Sequence, residues 1–101
     1  MTNGPLSLAL FAVPTSAVTD NLGNIYVVDV SNVIRMISNG KLVSNSQQTL
    51  GYVSTFISAG FFKEISGLAI DPQNNLVVAD IQLYAIYRVN TVTSNLKFTL
   101  G

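Results

Sequence analysis

Four of the chain's five acids recur in register: Asp20 and Asp71 lie 51 positions apart, as do Asp29 and Asp80. Carboxylates repeated in this way could line a channel and hold a hard cation through oxygen, or work as an acid–base pair across a cleft. One acid at a fixed place in each copy of a repeat is better explained as a building device. Asp29 and Asp80 are expected to accept backbone amides of the following loop, and Asp20 and Asp71 to cap a turn. The fifth acid, Glu64, falls in a connection. No metal site and no paired-carboxylate constellation is therefore expected. Arg35 and Arg88, 53 positions apart, are expected to pair with a nearby carboxylate or carbonyl rather than to bind an anion. The 101 residues contain no His and no Cys. Within this chain that excludes a Ser/His/Asp or Cys/His mechanism, a zinc site and a disulfide. The sequence calls for no cofactor.

The elements around these residues are short strands. Asp20-Asn21-Leu22-Gly23-Asn24 holds the residue types of a tight reversal, in which Asp and Asn bond back to nearby amides and Gly accepts positive φ. Ile25–Asp29 follows as a β-branched and aromatic strand. Val30–Asn32 is a connection, 33–38 a further strand, Asn39-Gly40 a hairpin turn and 41–44 its returning strand. Between 45 and 64 the strand count stays open. The second copy reads as strand 65–71, turn 72–74, strand 75–80 with Asn75 in the place of Asn24, connection 81–83, strand 84–90, turn 91–95 and strand 96–100. The spacing of the two arginines implies two extra residues between Asp80 and Arg88, in a loop where insertions cost little. No window sustains a helical period, whereas period-two alternation recurs between turns. The expected class is all-β.

Four short strands repeated at this scale suit the blades of a β-propeller, each of which must stack on a neighbour to bury its faces. The run Pro14-Thr15-Ser16-Ala17-Val18-Thr19-Asp20, then Gly23-Asn24-Ile25-Tyr26-Val27-Val28-Asp29, then Val33-Ile34-Arg35-Met36-Ile37-Ser38-Asn39-Gly40 resembles the NHL repeat. The second copy departs from that pattern at Ile65, Asn74, Val77 and Asn90 and keeps it at Gly67. The resemblance implies two four-stranded antiparallel blades over 14–51 and 65–101, with 1–13 as a connecting segment and 52–64 between the blades. Closed propellers need about 4–8 blades, so two imply a partial ring, a protomer of an assembled ring, or a fragment of a longer chain.

Equal numbers of acidic and basic residues leave no field for phosphate backbones or anionic lipid, so neither nucleic acid nor a membrane surface is expected as a partner. Hydrophobic residues make up 49% of the chain and its mean hydropathy is +0.45, high for so small a domain. That predicts apolar surface facing protein, either further blades or copies of the chain. Phe61, Phe62, Gln82, Leu83 and Tyr84 are the expected partner contacts, since aromatic residues in irregular loops commonly anchor partners. A plug between blades is the other role open to Phe61 or Phe62. The expected function is a non-enzymatic protein-binding or assembly module. One alternative is two blades of a lyase- or lactonase-type propeller enzyme whose catalytic residues lie in other blades. Another is an extracellular structural repeat protein, which the Asn, Ser and Thr loops would suit; there is no glycosylation sequon.

Overall fold

Turn chemistry and β-branched runs give the chain its strands. The computed structural model describes residues 3–5, 11–38, 42–43, 47–48, 51–92 and 96–100, and among them there is no α-helix. In chain order the strands are β1 (Gly4–Pro5), β2 (Ser16–Thr19), β3 (Ile25–Asp29), β4 (Val33–Ile37), β5 (Leu42–Val43), β6 (Gln47–Gln48), β7 (Tyr52–Ile57), β8 (Ile65–Ile70), β9 (Asn75–Asp80), β10 (Ala85–Asn90) and β11 (Leu96–Leu100). They build an all-β molecule of two antiparallel sheets and a small hairpin. The first sheet has the order β1-β7-β4-β3-β2, the second β11-β10-β9-β8, and β5 pairs only with β6.

Two expectations need correction. The strand that returns beside β4 is β7, not 41–44: Ile37 pairs with Val53 and Met36 with Ser54. Residues 42–43 pair instead with 47–48, so the stretch between β4 and β7 is an excursion from the sheet. Residues 52–57 thus belong to the first sheet rather than to a connection. A weakly alternating stretch hid this strand, while Asn39-Gly40, which suggested a nearer return, lies outside the described residues.

The second correction concerns the arginines. Arg35 sits opposite Val27, whereas Arg88 sits opposite Val77, which corresponds to Tyr26 in the first copy. The loop after Asp80 is therefore longer by one residue, not two, and an odd shift turns a strand side chain to the other face. The residue corresponding to Arg35 is Tyr87, and the one corresponding to Arg88 is Met36.

Each sheet has two unlike faces. Call A the face bearing Val27, Asp29, Val33 and Arg35 in the first sheet, and Leu76, Val78, Asp80, Ala85, Tyr87 and Val89 in the second. Face B bears Tyr26, Val28, Ile34 and Met36 in the first, and Val77, Ala79, Ile86 and Arg88 in the second. The core joins B of the first sheet to A of the second: Tyr26, Ile34 and Ile57 pack with Phe62, Leu76, Val78 and Val89, flanked by Val18, Met36, Leu68, Ile70 and Tyr87. Burying such side chains supplies the main stabilisation, at about 25 cal/mol per Å² of apolar surface. Face A of the first sheet is buried as well, with the Phe11 ring lying over the Arg35 guanidinium at 5.4 Å. Face B of the second sheet is only partly covered, and β9 alternates between buried and half-buried residues.

Candidate functional site

The aspartates are anchors of the backbone. Asp29 accepts the amides of Ala12 at 3.1 Å, Val13 at 2.6 Å and Val30 at 2.8 Å, tying the segment before β2 to the end of β3. Asp80 does the same for the second copy, accepting Lys63 at 2.7 Å, Glu64 at 3.2 Å, and Gln82 and Leu83 at 3.0 Å each. Burial pushes both carboxyls up, but the amides they accept outweigh it and hold both below the ordinary carboxylate range, with the Arg35 charge helping at Asp29. Arg35 is fully buried, 3.9 Å from Asp29.

Asp20 and Asp71 each close a turn. Asp20 accepts the amides of Leu22 and Asn24 through Oδ1 and the Asn24 Nδ2 through Oδ2; Asp71 takes Gln73, Asn75 and the Asn75 Nδ2 in the same pattern. Gly23 (φ 86°) and Asn74 (φ 64°) occupy the left-handed position that this turn demands. The copies differ in what completes the second carboxylate oxygen. In the first, the Tyr26 hydroxyl donates to Asp20 at 2.9 Å. In the second, where Val77 replaces that tyrosine, Arg88 Nε lies 2.9 Å from Asp71 on the neighbouring strand, close but without a hydrogen-bonding alignment. Burial, then the bond to Asp20, raises the Tyr26 phenol well above its usual range.

The two sheets are also joined at both ends by asparagines. Asn32, left-handed at φ 58°, donates to the Lys63 carbonyl at 2.9 Å and accepts the Ile65 amide at 2.8 Å, acting as a side-chain partner for the start of β8. Asn74 accepts the Asn21 amide at 2.7 Å at the opposite end. Tyr84 (φ 53°) precedes β10 as Asn32 precedes β4, yet it is 83% exposed.

Of the expected contact residues, Phe61, Gln82, Leu83 and Tyr84 come together at the Asp80 end of the second sheet, where Gln82 Nε2 donates to Glu64 at 2.9 Å. Phe61 and Tyr84 are exposed. Phe62 is not available to a partner: at 3% exposure it fills the core, edge-on to Tyr87 at 5.6 Å. Beside this rim, Val13, Thr15, Val30, Asn32 and Ile65 line a shallow groove of about 410 Å³. The exposed Val30 and Ile81 occupy the same place in the two copies, directly after the anchoring aspartate. Among the described residues, no group of three or more acids is placed to hold a metal ion.

Asn32 and Phe11 were not anticipated from sequence. Phe11-Ala12-Val13 corresponds to Phe62-Lys63-Glu64, so extending the 51-residue register toward the N-terminus would have exposed Phe11. Asn32 has no such signal, because its counterpart is a tyrosine. No protein-family model, curated protein or solved structure matches the chain.

Proposed function

We propose that the chain is a pair of NHL-like propeller blades serving as a non-enzymatic protein-binding or assembly module. The observation that carries this reading is the direction of stacking. Two sheets related by a twofold axis would meet through like faces; here face B of one meets face A of the next, the relation that repeating arrays use to add units. One end of the stack is covered, since face A of the first sheet is buried, and the other presents a partly open apolar face. The exposed rim of Phe61, Ile81 and Tyr84 is a second surface for a protein contact.

The lyase- or lactonase-type alternative would need carboxylates free to act. All four aspartates are engaged in turns and strand ends, so the chain itself contributes none. The test is the native mass from sedimentation equilibrium together with melting curves in calcium and zinc. A mass above the 10.8 kDa of one chain and melting unmoved by either ion are expected. A monomer at all concentrations, or a melting point raised several degrees by either ion, would overturn the reading.

A further inference from the structure

We infer that the chain associates with a second copy of itself through face B of its second sheet, two such faces meeting across a twofold axis. This rests on the assembly reading above and names its partner. The face is carried by Gly67 and Ala69 of β8, Val77 and Ala79 of β9, and Ile86 and Arg88 of β10, which pair directly across the sheet. An antiparallel sheet turned permanently to water alternates apolar with polar residues. Here both series are largely apolar: Leu76 and Val78 point into the core, and Val77 and Ala79 point away from it. The same positions in the first sheet, Tyr26, Val28, Ile34 and Met36, are covered by the second.

Two observations select the occupant. A further sheet added by the internal stacking relation would need the large ring that Tyr26 supplies between the sheets, but Val77 and Ala79 are smaller than Tyr26 and Val28, so that spacing would leave a void. Nor can a second copy offer face A of its first sheet, which is already buried. What a second copy has to offer is its own half-open face B, and like faces meeting is the isologous arrangement of a twofold dimer. Charge does not oppose it. Arg88, the charged residue of the face among those named, lies against Asp71, and the chain carries no net charge.

The experiment is sedimentation velocity over a hundredfold concentration range on the full chain, Ala69→Arg, Gly67→Glu, Tyr84→Lys and the control Leu22→Lys. Ala69 is exposed, and a side chain at Gly67 would meet no atom within 4 Å, so neither change disturbs the core. Circular dichroism confirms that each variant is folded. A concentration-dependent dimer is expected, with dissociation raised at least tenfold by Ala69→Arg or Gly67→Glu and unchanged by Leu22→Lys. Should the dimer survive both face variants, or fall only with Tyr84→Lys, this inference fails while assembly stands. A chain that stays monomeric throughout removes the assembly reading itself.

Discussion

Asp80 accepts four backbone amides from two separate connections, so its charge is a structural component of the second sheet. Asp80→Asn offers one acceptor oxygen and turns an amide group toward donors. We expect a loss of about 1–3 kcal/mol, the cost of leaving buried amides unpaired, read as a lower urea midpoint. The titration of Asp29 and Asp80 has a definite sign. Their folded-state pKa values lie below the unfolded ones, so their stabilisation is complete above the unfolded carboxylate range and is lost as pH falls through the folded values. Urea midpoints should hold from about pH 7 to about pH 5 and drop below about pH 4. The exchange of Tyr26 for Arg88 as the group completing the turn aspartate predicts an interaction between positions 77 and 88. Arg88→Met alone should lower the melting temperature, and Val77→Tyr with Arg88→Met should recover part of the loss, because the hydroxyl introduced at 77 reaches Asp71 as Tyr26 reaches Asp20.

At the scale of elements, the strands with strong local signals were legible and the long-range pairing was not. The turns at 20–24 and 71–75 are written in residue types that leave the backbone little choice, and β3 and β9 follow from them. The pairing of β7 with β4 depends on contacts across the excursion between them, which period-two patterning does not encode. The equivalence of the arginines failed for a related reason: a count of residues gives spacing, but only the register says which face a side chain takes. Asn32 shows the same limit, since its role depends on the backbone of β8. Asn32→Ala should speed hydrogen exchange at the Ile65 amide about tenfold or more, which corresponds to roughly 1.4 kcal/mol, while the amides within β9 and β10 keep their rates.

At the scale of the whole molecule, the acids that looked most like chemistry hold the two sheets in shape, and surface accounts for the proposed function. That the chain is β throughout and built from two related copies was readable from the period and the turns. Which faces are covered was not, because face A of the first sheet and face B of the second have similar apolar residues and differ in what packs on them. The most direct test is a dilution series followed in the methyl spectrum of the isotopically labelled chain. Association through the open face predicts concentration-dependent shifts at the methyls of Ala69, Val77, Ala79 and Ile86, with Val78 and Leu76 unmoved. A spectrum unchanged by dilution, or shifts confined to Val30 and Ile81 at the rim, would contradict it.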